Sequence, residues 1–317
     1  MQDPQNYSLD ILPEEAFNYL DRSGANQSTP FERLNHMNPG AIELYRDHGI
    51  DIESEPLEIA VCAQHNNGGL AANIWAESTN FKHFFSVGEV NGSHGVNRPG
   101  GTALNAGQVW SIRAANYIAA CYQGYTLSPE QIEDSVVQAY QNTVKWIDTA
   151  KSSNLNWQDA LNELQARMSR CAAHIRSKNI IEEEIQNAKQ LVSRLFNQGC
   201  SILDGEELRN AFKIRQLAVA HRVYLEAIYF MLDNQVGSRG SSIVIDPDGN
   251  KFDPRLDDSW KIQPEDPSFR QKALITKVNP DYTIKNEWEA VRPIPEIDAW
   301  FETAWAAFRN KDIFECS

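Results

Sequence analysis

Two stretches of this chain concentrate residue types that could do chemistry. They are Ala63-Gln64-His65-Asn66-Asn67-Gly68-Gly69-Leu70 and the longer run from Val87-Gly88-Glu89 through His94, Asn97 and Arg98 to Gly100-Gly101-Thr102-Ala103-Leu104. Glycines crowd both, and glycine permits left-handed dihedrals and close approach of main chain to a ligand. Such loops wrap something bulky and flat, or they are simply tight turns. Gly100-Gly101-Thr102-Ala103 leads straight into a helical pattern. Amides at a helix N-terminus, with its partial positive charge, stabilise an anion or an electron-rich carbonyl. Glu89 follows a short apolar run ending in Gly88, a place from which a carboxylate accepts hydrogen bonds from ribose hydroxyls. The plain alternative for Glu89 is a solvated loop carboxylate.

The elements that must position these residues follow from periodicity and punctuation. Leu57 to Val61 and Phe84 to Gly88 are short apolar or alternating runs, and both predict strands flanking the glycines. From Leu104 to Tyr122 apolar residues recur at helical spacing and stop before Gly124, a suitable left-handed cap. The result is a strand, loop, helix unit. Upstream, residues 1–28 are a polar extension with one short helical pattern, and Thr29-Pro30-Phe31-Glu32 has the form of a capping box. Ser128-Pro129 starts a further helix, and three more patterns lie near 157–176, 180–198 and 205–234. In the last, Leu208, Phe212, Leu217, Ala220, Tyr224, Ile228 and Met231 read as the packed stripe. Beyond Gly237 come short strands at 242–245 and 273–278 and a terminal helix from Asp298.

Composition narrows the class. With 42% hydrophobic and 23% charged residues the chain is an ordinary folding sequence. A formal net charge of −14 repels nucleic acid and anionic lipid, while leaving room for a local cationic pocket. Five cysteines with no C-x-x-C pair suit reduced thiols, and with no targeting signal or membrane span in view a cytoplasmic setting fits. Histidines lie scattered without ligand spacing, so no metal site is expected.

At Arg98 a resemblance enters. His94-Gly95-Val96-Asn97-Arg98-Pro99-Gly100-Gly101-Thr102-Ala103-Leu104 resembles the H-G-A-N-R-L-G-G-N-S-L segment of the fumarate reductase, succinate dehydrogenase and aspartate oxidase flavoproteins, and Phe84 to Val90 resembles their L-F-A-V-G-E strand. The chain is more similar still to uncharacterised bacterial FAD-binding proteins that combine these motifs with a late Arg292-Pro293-Ile294-Pro295 and Asp298-Ala299-Trp300-Phe301-Glu302 segment. The resemblance implies FAD as cofactor, with Glu89 on the ribose, Gly68, Gly69, Gly88, Gly100 and Gly101 admitting the cofactor, and the amides of Ala103 and Leu104 facing the flavin pyrimidine edge. Arg98 matches the arginine that binds a substrate carboxylate, a task suited to a guanidinium because it stays charged and pairs through two hydrogen bonds. His94 and Asn97 lie beside it, His94 as a further catalytic candidate and Asn97 as a further cofactor-binding one. Where the family places a substrate-binding histidine this chain has Gln64, with His65 next to it: either His65 takes that catalytic role through a small register change, or the substrate is not a C4 dicarboxylate.

No G-x-G-x-x-G follows an N-terminal strand, although that turn holds the FAD pyrophosphate in the family. The expectation is therefore a mixed α/β (α+β) fold: the C-terminal part of an FAD/NAD(P)-binding-like domain followed by a helical-bundle domain. The expected boundaries are 1–28, 29–125, 126–236 and an irregular tail at 237–317. The expected function is that of a flavoprotein fragment passing a hydride between FAD and a small carboxylate-bearing substrate, together with an N-terminal Rossmann half or an electron-transfer subunit. The competing reading is a catalytically inactive remnant or partner-binding module.

Overall fold

The computed structural model describes residues 9–58, 68–95, 98, 100–122, 124, 127–240, 242–293, 300–314 and 316. The chain divides into two compact units, Met1–Gln64 and His65–Ser317. The first holds three short helices, α1 (Glu14–Arg22), α2 (Pro30–Met37) and α3 (Pro39–Asp47). The capping box forms at α2 as the sequence predicts: the Glu32 amide donates to Thr29 Oγ1 and the Thr29 amide to Glu32 Oε2, each at 3.1 Å. The strand expected at 57–61 lies partly outside the described residues, and Leu57 and Glu58 are irregular.

The second unit opens with a glycine-rich irregular segment. The strand expected at Phe84 to Gly88 shrinks to a single antiparallel bridge between Phe85 and Glu77, because Gly88 turns left-handed (φ +75°) and a 3-10 turn follows at Gly88–Val90. Next comes α4 (Thr102–Cys121), which matches its predicted span closely. The helical part comprises α5 (Pro129–Ala150), α6 (Trp157–Arg167), a π turn at Met168–Ala172, α7 (Lys178–Asn197) and α8 (Gly205–Asp233). Side-chain caps fix two starts: Asn156 Oδ1 accepts from the Gln158 amide at 2.7 Å, and Asp204 Oδ1 from the Glu206 and Glu207 amides at 2.9 Å.

The core lies between α6, α7 and α8, where Leu191, Leu195, Ile214 and Leu225 are almost fully buried. Each contributes roughly 1.5–3 kcal/mol. The buried stripe of α8 is Ala211, Ile214, Ala218, His221, Leu225, Ile228 and Leu232, so of the predicted residues only Ile228 belongs to it. α8 is apolar on several sides: of the face read as core, Phe212 and Leu217 pack at the edge of the buried cluster, Phe212 on Trp146 (ring centroids 4.8 Å), while Tyr224 is exposed.

Two small sheets complete the unit. β1 (Ile175–Arg176) runs parallel to β2 (Ile243–Lys251), which pairs antiparallel with β3 (Lys261–Ile262). β4 (Lys272–Val278) and β5 (Ile284–Ala290) form a hairpin with Leu274 opposite Trp288. The hairpin sits on α8: Trp288 stacks near Phe230 (5.6 Å), and its indole N–H donates to Asn234 Oδ1 at 3.2 Å. The last helix, α9, spans Trp300–Asn310, and the predicted start at Asp298 lies outside the described residues. Among the described residues no helix is long and apolar enough to cross a membrane.

Candidate functional site

Three glycine-bearing segments, far apart in sequence, are drawn together at the N-terminal end of α4. The Leu70 amide donates to Val90 O at 2.8 Å and the Gly92 amide to Leu70 O at 3.1 Å, joining 68–70 to 90–92. A side chain on Gly69 would run into Val90 O and stand 2.8 Å from Asn91 C, so glycine there lets two backbones touch. The turn at Gly88–Val90 packs on α4, and Gly88, left-handed, faces Gly107 with 3.6 Å between a built Cβ and Gly107 Cα. Buried Asn91 pins the turn from inside, its side-chain amide donating to Ser86 O at 3.0 Å. Trp110 of α4 ties the next loop down by donating to Ser93 Oγ at 3.1 Å.

On the outside of this junction the surface is open. Gly101, left-handed at φ +79°, is the residue before α4 and offers its first-turn amides no capping side chain. Among the described residues, no atom beyond the adjoining chain comes within 4 Å of the positions a side chain would take at Gly95, Gly100, Gly101 or Gly107. Ala103 is half-buried, Leu104 is 81% exposed, and Glu89 is exposed on its turn. His94 and Arg98 are half-buried, with His94 Nε2 and Arg98 Nε shielded from solvent. Gly68 is exposed beside Gly69, while His65 and Asn97 lie outside the described residues. A positively polarised helix N-terminus and an exposed carboxylate can hold a ligand with an electron-rich edge and hydroxyl donors.

Behind the glycine surface is a cluster that the sequence pattern does not reveal. Trp75 stacks on Tyr117 (5.7 Å) and meets Phe314 (4.8 Å), and Phe85 and Tyr122 close the group. Buried Glu77 accepts from the Tyr122 hydroxyl and, at 2.9 Å, from the His83 amide. Burial, reinforced by that hydrogen bond and the Glu77 charge, pushes the Tyr122 hydroxyl pKa well up, so it stays a donor. Arg113 of α4 donates to Ile74 O at 2.8 Å and lies over the Trp75 ring at 4.5 Å. Burial, and then the like charge of Arg292, lower its pKa; the late Arg292-Pro293 motif is thus brought within electrostatic reach of α4.

The expectation of reduced thiols needs correction. Cys121, the last residue of α4, is bonded to Cys316 (S–S 2.08 Å, Cα–Cα 5.1 Å), while Cys171 and Cys200 are free and buried. A pair 195 residues apart, with no motif at either end, leaves no trace in sequence spacing. The pairing instead reflects the return of the C-terminal segment to α4, where Phe314 enters the aromatic cluster.

No protein-family model matches the chain. Curated relatives do. The chain is 32% identical over 178 residues to a polypeptide of the fumarate reductase (CoM/CoB) of Methanothermobacter marburgensis, covering 56% of this chain and 31% of the relative. It is 25% identical over 219 residues to an uncharacterised FAD-dependent oxidoreductase of Methanocaldococcus jannaschii (68% and 38%), and 27% identical over 169 residues to an L-aspartate oxidase of Nostoc (48% and 29%). Among solved structures, an E. coli quinol fumarate reductase matches with a TM-score of 0.60 at 20% identity, over 90% of this chain and 49% of that one. Mycobacterium smegmatis Sdh1 in complex with UQ1 matches with a TM-score of 0.61 at 18% identity, over 96% and 51%. The fold is therefore that of the fumarate reductase and succinate dehydrogenase neighbours. The chain spans about a third of the length of the curated relatives it matches and about half that of the solved ones.

Proposed function

We propose that this chain forms one wall of the FAD site of an oxidoreductase similar to the fumarate reductase flavoproteins, and that a complementary half supplies the other wall. The observation carrying this reading is the packing of Gly68–Leu70 against Val90–Gly92 and of the left-handed Gly88 turn against Gly107 of α4, a helix preceded by left-handed Gly101. Relatives named as a fumarate reductase and as an FAD-dependent oxidoreductase support it. The residues fit the group. Glu89 is exposed to accept ribose hydroxyls, the Ala103 and Leu104 amides can donate to a flavin carbonyl edge, and the glycines leave room for a flat ring. FAD, when bound, supplies hydride transfer.

The chain's own contribution is binding and orientation. Arg98 would hold a substrate carboxylate through paired hydrogen bonds, with His94 beside it to donate or to position. The substrate class that fits is a small carboxylate-bearing molecule; Gln64 in place of a histidine argues against assuming fumarate. Glu89→Ala tests the cofactor wall. Losing a charge-assisted hydrogen bond is expected to weaken FAD binding by on the order of 1.5–3 kcal/mol, read by isothermal titration on the assembled protein. Unchanged affinity would leave Glu89 a solvated loop carboxylate.

A further inference from the structure

The late segment from α9 to Cys316 is a strap fastened at the C-terminal end of α4. From 301 to 310 it has no buried residue, and its buried anchor is Phe314, with Ile313 partly buried beside it. Phe314 enters the aromatic cluster 4.8 Å from the Trp75 ring and 6.4 Å from the Tyr117 ring. The covalent tie is the Cys121–Cys316 bond, which joins the strap to the last residue of α4. Cys316 is exposed and Cys121 half-buried. Exposed disulfides are the ones that thiolates reach and open. Cys171 and Cys200 are free and buried, and burial raises the pKa of both thiols, that of Cys200 to about 11, so neither offers a thiolate for exchange. A single accessible bond beside inert, reduced thiols suits opening and closing better than it suits a disulfide framework.

What the strap holds connects to the glycine surface. Trp75, against which Phe314 packs, carries Arg113 of α4 over its ring at 4.5 Å, and Arg113 donates to Ile74 O at 2.8 Å. Ile74 and Trp75 continue the segment that starts at Gly68–Leu70, where the Leu70 amide donates to Val90 O. Tyr117, the other buried ring of the cluster, belongs to α4 itself. Phe314 thus lies behind both the helix and the segment that carry the glycines. We propose that the Cys121–Cys316 bond is a reversible thiol latch: closed, it keeps Phe314 in the cluster and the glycine surface firm; open, it frees the strap and lowers FAD retention. A small dithiol reductant opens it. One thiolate of the reductant attacks exposed Cys316 Sγ, the bond to Cys121 breaks, and Cys121 leaves as thiolate. The second thiolate then displaces Cys316 and closes the reductant's own disulfide, so two electrons and two protons pass to the cysteines. A small-molecule disulfide takes them back when the latch closes. Control of FAD retention rests on the FAD reading above; the latch itself does not.

The test compares the full chain before and after dithiothreitol, with alkylation and peptide mass spectrometry reporting that Cys121 and Cys316 change state while Cys171 and Cys200 stay thiols. Backbone amides of 301–314 are expected to exchange hydrogen at least about tenfold faster in the reduced chain. FAD retained by the assembled protein through gel filtration is expected to fall about tenfold on reduction. Both values return on treatment with glutathione disulfide. Cys316→Ser, at an exposed position, is expected to show the reduced values from the start and to ignore dithiothreitol. Equal exchange in the two states overturns the latch. Faster exchange with unchanged FAD retention overturns its control of the glycine surface. FAD retained in neither state sinks the flavin reading and that control with it, and the exchange rates alone then decide the latch.

Discussion

Gly69 and Arg98 illustrate two different reasons for a residue at the junction. Gly69 is fixed by packing: a methyl group there would run into Val90 O and stand 2.8 Å from Asn91 C, both of them backbone. Gly69→Ala is expected to destabilise the protein by about 1–3 kcal/mol in urea denaturation, and an unchanged midpoint would mean that 68–70 does not lie against 90–92. On the proposed reading Arg98 holds the substrate, so Arg98→Ala is expected to leave FAD bound to the assembled protein while abolishing turnover. Full turnover in that variant would remove its substrate role. The glycine-bearing turns were legible because glycine is unusual in such density. Asn91, Glu77 and Trp110 were not, since a loop asparagine or a lone glutamate reveals its burial only once Ser86, Tyr122 and Ser93 are folded against it.

Between the helices lies a buried ionic group with a consequence for acid stability. Arg167 of α6 donates through Nε to Glu184 of α7 at 2.8 Å, and its Nη1 lies 3.4 Å from His221 Nε2 of α8. Burial alone would raise the Glu184 pKa, but hydrogen bonds from Asn187, Arg170 and Arg167 outweigh it and hold the carboxyl at about 2. Burial, with the Arg167 charge, lowers His221 from 6.5 to about 4. Both groups bind fewer protons folded than unfolded, so their stabilisation is full above the unfolded pKa and is lost as pH falls. The His221 contribution fades between pH 6.5 and about 4, and that of Glu184 between 4.5 and about 2. His221→Gln is expected to flatten the unfolding free energy between pH 6.5 and 4 by on the order of 2–3 kcal/mol. A wild-type slope persisting in that variant would contradict the assignment. The helices themselves were legible from period and caps. The rotation of α8 was not, because Phe212, Tyr224 and Phe230 make several of its sides look like core, and only the hairpin β4–β5 and Trp146 decide which is used.

At the scale of the molecule, the chain's end returns to the helix that starts at the glycine surface. Cys316 bonds Cys121 and Phe314 packs on Trp75, so the late segment supports α4 from behind. Cys121→Ser is expected to cost about 2–4 kcal/mol in denaturant unfolding without reductant, and no loss relative to the wild type would show that the bond does not form in solution. That Phe314 and Cys316 would meet α4 was not legible, because nothing in spacing reports which of two distant segments shares an aromatic cluster. The proposed function reads the glycine surface as half of a flavin site. The most direct measurement is a titration of FAD, followed by flavin fluorescence, into the purified chain and into its assembly with the complementary dinucleotide-binding half. Stoichiometric binding by the assembly, with little or none by the chain alone, is the predicted result; no binding by either would contradict the account.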